Sequence, residues 1–237
     1  MKYRGIIHFH SKYSYDSMLS IERIVDLALK YELNFICLTD HENIEGSIAL
    51  YNYVKDQKIP IEVIIGAEYN TSLGDVIALG IRKEIKNLTF DSFVDEVKGQ
   101  GGILLFPHPY KGHKDIEYIA SKVNMIEVFN SRVPEDSNKK AKLLAKKINK
   151  PVYYASDAHN QFSFNNSILE FDRKEDFLYS LLSSRIKCIV CKKSFYWEII
   201  YSQIVKSYKK RDIKLFIAQL KSMLKLVLKL KLFKRIF

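Results

Sequence analysis

The segment Gly5–Ser17 reads GIIHFHSKYSYDS. Its opening, Gly5-Ile6-Ile7, is a short apolar run rich in β-branched residues, the composition of a buried strand. The run leads into His8 and His10. Two positions apart on an extended chain, their side chains point to one face. Working outward, the same arrangement recurs. Strand-like runs are expected at Gly5–Phe9, Phe35–Leu38, Val63–Gly66, Val76–Leu79, Ile103–Phe106, Met125–Phe129, Val152–Ala155 and Ile186–Val190. Helical patterns are expected between them at Ile21–Tyr31, Asn43–Lys58, Phe90–Lys98, Ser137–Ile148 and Glu175–Ser183, the first with Ser20 placed to cap it. Such alternation predicts βα units on a parallel sheet. About seven units would close into a barrel, a fold that fits one domain of 237 residues.

Polar residues that can bind metal gather where these runs end. Asp40 and His41 follow the second run, and Glu68 follows the third. His108 follows Ile103–Phe106, Asn130 follows Met125–Phe129, and Asp157 and His159 follow Val152–Ala155. In a β/α barrel these ends share the face on which sites are assembled. Five of the six histidines belong to this set, and the sixth, His113, lies just after His108. Imidazoles and carboxylates without cysteine suit Mn, Fe or Zn rather than a closed thiolate site. The candidate ligands His8, His10, Asp16, His41, Glu68, His108, Asp157 and His159 are too many for one ion. A site of two or three divalent ions clamps the attacking and leaving oxygens of a phosphoryl centre. The same hardware serves amide hydrolysis, so the residues alone reach metal-assisted hydrolysis and stop there.

The matching segments are His8-Phe-His10-Ser with Tyr15-Asp16-Ser17, Leu38-Thr-Asp-His41, Gly66-Ala-Glu68, Pro107-His-Pro109 and Ser156-Asp-Ala-His159. In this order they resemble the PHP family, named for polymerase and histidinol phosphatase, over roughly residues 1–190. The resemblance implies an α/β fold, a distorted (β/α)7 barrel with up to three metals. It implies that His8, His10, Glu68 and Asp157 hold one ion. Glu68 would bridge to a second with His108, and Asp16, His41 and His159 would hold a third. Asp40 would orient a ligand rather than bind. Asn130 stands where trinuclear members often carry His or Cys, and it offers only a neutral carbonyl oxygen, a weak ligand. Arg132 is the expected phosphate-binding residue, since its fork of donors suits phosphate. Lys111 and His113 are further candidates for that task.

The expected reaction is attack of a metal-activated hydroxide on a small phosphomonoester or nucleotide. Arg132 would neutralise the phosphoryl oxygens, and Asp157 or His159 would manage the leaving-group proton. The alternatives are an exonuclease or phosphodiesterase acting on oligonucleotide ends, and an inactive binding module at a membrane surface.

Charge is unevenly distributed. From Lys192 onward lie 13 of the 38 Lys/Arg but 2 of the 27 Asp/Glu, so the excess of +11 belongs to the tail. Residues 191–237 are expected to form a basic helical extension to a catalytic part at 1–190. Within it, Asp212–Phe237 reads as a helix with Lys214, Lys221, Lys225 and Lys229 on one face and leucines elsewhere. That pattern fits an anionic membrane surface, packing on the barrel, or a second subunit. Nucleic acid is a lesser expectation, with Phe195, Tyr196, Trp197, Tyr201 and Tyr208 as stacking groups. The first ten residues do not read as a signal peptide, and no apolar stretch is long enough to span a bilayer. Cys188-Ile-Val-Cys191 has no second pair, so both are read as thiols at a strand end in a reducing cytosol. The expected location is cytoplasmic, peripheral at the inner face of the membrane.

Overall fold

The computed structural model describes residues 2–174 and 176–236, with side chains as far as Leu228. Glu175, expected to start a helix, and the side chain of Lys229 lie outside the described residues, as does Phe237.

The chain is a mixed α/β fold built on two five-stranded sheets. In the first, β1 (Lys2–Ile7), β2 (Phe35–Cys37) and β3 (Glu62–Val63) run parallel, while β9 (Ser167–Asp172) and β10 (Lys187–Cys191) extend the sheet antiparallel beyond β1. In the second, β4 (Gly66–Thr71) and β5 (Gly74–Leu79) form a hairpin. There β6 (Ile103–Phe106) joins β5 antiparallel, and β7 (Met125–Asn130) and β8 (Val152–Ala155) follow parallel. Helices α1 (Ile21–Lys30), α2 (Glu45–Asp56), α3 (Phe90–Gly99), α4 (Ile116–Lys122) and α5 (Glu135–Lys147) connect successive strands, and α6 (Phe177–Ser183) precedes β10. The helices α7 (Tyr196–Lys209) and α8 (Ile213–Ile236) close the chain.

Strand alternation sorts the core. Ile7, Phe35 and Cys37 of the first sheet meet Ile77, Leu79, Leu105, Met125 and Tyr153 of the second in one shared cluster. Their neighbours Ile6 and Ile36 face outward under α1 and α2, while Leu104, Phe106 and Ile126 face α3 and α5. Ser20 caps α1 by accepting from the Arg23 amide at 3.3 Å, and Ile21, Ile24, Val25, Leu27 and Ala28 are buried, as the spacing predicts.

Two expectations are corrected. The strands do not all alternate with helices, and the sheets are mixed rather than wholly parallel. The two-residue turn between β4 and β5 permits only antiparallel pairing, because a parallel crossover needs a dozen residues or more. The two sheets are joined at one end by single-residue bridges, Phe9 to Ala158 and His41 to Glu68. Second, Cys188 and Cys191 are joined in a disulfide rather than standing as two thiols, and Cys191 is exposed. In a regular strand, residues three apart face opposite ways. A register shift between Cys188 and Val190 adds one step and brings the two sulfurs together.

Candidate metal centre

The two bridges mark the site, and the backbone positions its side chains from there. The His10 amide donates to the Ala158 carbonyl at 2.8 Å, and the Asp157 amide donates to that of His8 at 2.9 Å. The Glu68 amide donates to the carbonyl of Asp40 at 3.1 Å. His8 and His10 lie just past β1 rather than on it, and His8 turns through the left-handed region at φ 65°. Asp157 and His108 do the same at φ 49° and 27°. Glu68 sits inside β4, not after the third strand, and reaches the cluster through its bridge to His41.

All eight expected ligands converge. His8 Nε2 lies 3.4 Å from Glu68 Oε2 and 3.6 Å from Asp157 Oδ1. His10 Nε2 lies 3.5 and 3.4 Å from the same two atoms. Asp16 Oδ2 lies 3.3 Å from His41 Nε2 and 3.1 Å from His159 Nε2, and His108 Nε2 lies 3.1 Å from Glu68 Oε1. These atoms form four overlapping sets, of which the largest is His10, Asp16, His41 and His159. His10 therefore belongs to two sets, where the resemblance gave it one. The fourth set adds Asp75, which the sequence reading did not single out.

The donor set fits divalent ions. Ligand atoms held at ~2.1 Å from one ion lie ~3.0–3.5 Å from one another. Most of the contacts above are longer than a good hydrogen bond and match that spacing. His8 Nε2, His10 Nε2 and Asp16 Oδ1 are buried without a hydrogen-bond partner among the described residues. Such atoms are costly unless something binds them.

Burial alone would raise the Glu68, Asp157 and Asp16 carboxyls. Neighbouring histidines, with Arg132 also beside Asp157, outweigh it and hold all three well below the usual carboxylate range. Burial would likewise lower His8, but Glu68, Asp157 and Glu127 raise it well above the imidazole range. His41 rises to about 9 against burial because Asp16 and Glu68 face it, while burial with His159 and His41 takes His10 down to about 3. Without ions, the buried negative charge is matched by protons on some imidazoles and not others.

Supporting groups surround the cluster. Glu127, buried on β7, accepts from His8 Nδ1 at 2.8 Å. That fixes the tautomer and turns His8 Nε2 inward. The other Glu127 oxygen accepts from the His108 amide at 2.6 Å and from Asn130 Nδ2 at 2.9 Å. The sequence signal was present, a carboxylate in the otherwise apolar run Met125–Phe129, but a reading confined to strand ends passes it by. Asp40 makes no ligand contact. It accepts from the Ser11 amide and hydroxyl, both at 2.6 Å, and burial pushes its carboxyl up to about 6. Asn130 turns its amide nitrogen toward the cluster, donating to Glu127 and Asp157, while its oxygen accepts from the Arg132 amide.

Above the cluster opens a cavity of about 520 Å³, lined by Arg132 and Lys111 among others. Arg132 is half-buried, donates to Ser202 of α7 at 2.7 Å and lies against His159 Nδ1. His113 does not reach the cavity lining; its Nε2 donates to the Asp75 carbonyl at 2.9 Å. The helix α7 covers one side of the opening. Lys209 fastens it there, donating to the carbonyls of Lys12, Ser14 and Ser17, each at 2.7 Å.

The comparisons agree with this geometry. The model of the PHP domain matches residues 7–232, running past the boundary expected near residue 190. An uncharacterized protein of Methanocaldococcus jannaschii is 31% identical over 115 residues, covering 44% of this chain and 66% of that protein. The DNA polymerase III subunit alpha of Rickettsia bellii is 39% identical over 89 residues, 35% of this chain and 8% of the subunit. In structure, the chain is similar to a two-domain protein of Bacteroides vulgatus containing a predicted PHP-like metal-dependent phosphoesterase. That match has a TM-score of 0.66 at 19% identity, over 81% of this chain and 65% of the other. The chain thus spans two thirds or less of the length of each of these relatives. With a match over nearly its whole length and the motif residues gathered at one site, the chain belongs to the PHP domain family.

Proposed function

We propose that the chain is a metal-dependent phosphoesterase that hydrolyses a small phosphomonoester or nucleotide. One observation carries the reading: eight imidazole and carboxylate groups with mutually spaced, partly orphaned donor atoms converge, and six of them line a cavity with cationic groups on its wall. His8, His10, Glu68 and Asp157 would hold one ion, Asp16, His41 and His159 another, and His108 with Glu68 a third. Bound there, Mn, Fe or Zn ions would supply an activated water and neutralise phosphoryl charge.

The chain's own groups do the rest. Glu127 and Ser11–Asp40 fix ligands before substrate arrives, which removes reorganisation from the reaction. Lys111 reaches into the cavity as a phosphoryl contact. Arg132 holds α7 and His159 together and lines the cavity. Asp157 and His159 point their donor atoms into the cluster, so in this reading they hold ions rather than carry the leaving-group proton.

A second reading, a phosphodiesterase on oligonucleotide ends, draws on the partial likeness to the DNA polymerase III subunit alpha. Elemental analysis of protein grown with Mn, Fe and Zn, with monoester and diester substrates assayed side by side, tests both. About two or three ions per chain and monoester turnover are expected. Diester turnover alone favours the second reading, and a folded protein with under about one ion and no turnover overturns both. His10→Ala and Glu68→Ala should each abolish turnover while circular dichroism stays unchanged.

A further inference from the structure

Three lysines at the C-terminal end of α7 face the site, Lys206 and Lys209 within the helix and Lys210 capping it, and they differ in what they do. Lys209 is committed to three backbone carbonyls. Lys206 and Lys210 line the cavity with Gln203, and the spacing i, i+3, i+7 places all three on one face of the helix. Their ammonium groups stand 5.0 and 3.9 Å from the centre of the Tyr15 ring. Among the described residues, neither makes an ion pair. Tyr15 is itself stacked on His41, with ring centres 4.6 Å apart and planes 7° from parallel. Both ammonium groups therefore lie within cation–π reach of a ring that also stacks on the ligand His41. Neither face of the ring is open to stack a base. Glu42, Asn70 and Asp75 line the same cavity. Besides Lys111 and Arg132, the lining thus holds a pair of cations beside Tyr15, where an anion can bind apart from the ions.

We propose that Lys206 and Lys210 form a second anion subsite, which binds a phosphate carried on the substrate away from its scissile phosphoryl group. The substrate is then a phosphomonoester with at least two anionic groups, and α7 is the element that selects it. Gln203 supplies a neutral hydrogen-bonding group beside the pair. The identification of the scissile group rests on the phosphoesterase reading; the subsite does not.

The test uses the full chain and two probes, butane-1,4-diol monophosphate and butane-1,4-diol bisphosphate. Binding is measured by calorimetry on metal-stripped protein, and KM and kcat on the metal-loaded protein. The wild type should bind the bisphosphate more tightly than the monophosphate. In Lys206→Gln/Lys210→Gln that preference should fall at least about tenfold, appearing in KM rather than kcat. Lys206→Arg/Lys210→Arg should keep the preference and so exclude a merely structural effect. A preference unchanged by the glutamine pair, or equal weakening of both probes, overturns the subsite. If the chain turns over neither probe yet calorimetry shows the charge-dependent preference, the phosphoesterase reading fails and the subsite stands.

Discussion

At the scale of single residues, the site depends on groups that never touch an ion. Glu127 is the clearest. Glu127→Gln replaces a carboxylate that receives three donors with an amide that must aim a donor at one of them. Metal affinity should fall by ~10–100-fold, read by competition with a chelating dye. Gly46 is another. A Cβ there would lie 2.0 Å from Asp40 Oδ2 and 2.9 Å from Ser11 Oγ, so α2 can approach the pair only without a side chain. Gly46→Ala should cost about 1–3 kcal/mol in urea unfolding and weaken metal binding with it. The ligands themselves were legible in sequence because histidine is scarce and nearly all of it follows apolar runs. Glu127, Asp75 and Ser11 were not. Their roles come from contacts across 119, 33 or 29 positions of chain, as with His8–Glu127 and Ser11–Asp40, and no local pattern encodes such a partner.

At the scale of elements, strands built from apolar runs appear where the pattern places them, Ile103–Phe106 and Val152–Ala155 to the residue. The strand Gly66–Thr71 escaped recognition because Glu68, Asn70 and Thr71 make it polar, and its third position already serves the site rather than the core. Helix α7 was expected only as part of a helical extension and without bounds of its own, because tyrosine, tryptophan and isoleucine are indifferent helix formers. Tertiary contacts hold it, Lys209 foremost. The last helix behaves differently. Ile213, Ile217, Leu220, Leu224 and Leu228 recur on one face of α8 and are all exposed, with Lys214, Lys221 and Lys225 beside them. We propose that this face rests on an anionic membrane surface. None of the helices among the described residues is long and apolar enough to cross a membrane. The full chain should float with vesicles containing phosphatidylserine, less so as salt rises, and a chain ending at Asp212 should stay behind. Equal flotation of the two excludes α8 as the contact.

At the scale of the whole molecule, the buried charge sets how stability responds to pH once metal is stripped. His41 is raised to about 9, so its contribution is complete below the unfolded imidazole value of ~6.5 and is lost as pH rises through about 9. His8 is raised too and acts in the same sense. His10, lowered to about 3, acts oppositely: the unfolded imidazole takes up a proton below ~6.5, so stability falls as pH drops from there. The stripped protein should be most stable near pH ~6.5, with lower urea midpoints at roughly pH 5 and 8.5. A midpoint that only rises or only falls across that range would refute this. Metal should abolish the alkaline loss, because ions replace the protons. The sequence conveyed the α/β class but not the division into two sheets, since pairing direction at β4–β5 and β9–β10 depends on partners rather than on periodicity. That division also bears on how the chain assembles during synthesis. One sheet is contiguous in sequence, from Gly66 to Ala155, while the other waits for Ser167–Cys191 to flank a strand made at the very start. Late-closing, long-range pairings form slowly. The contiguous half should therefore gain amide protection first in pulse-labelled hydrogen exchange. The ligand pocket, which borrows from both halves, should become competent to load metal only after the ribosome has released most of the chain.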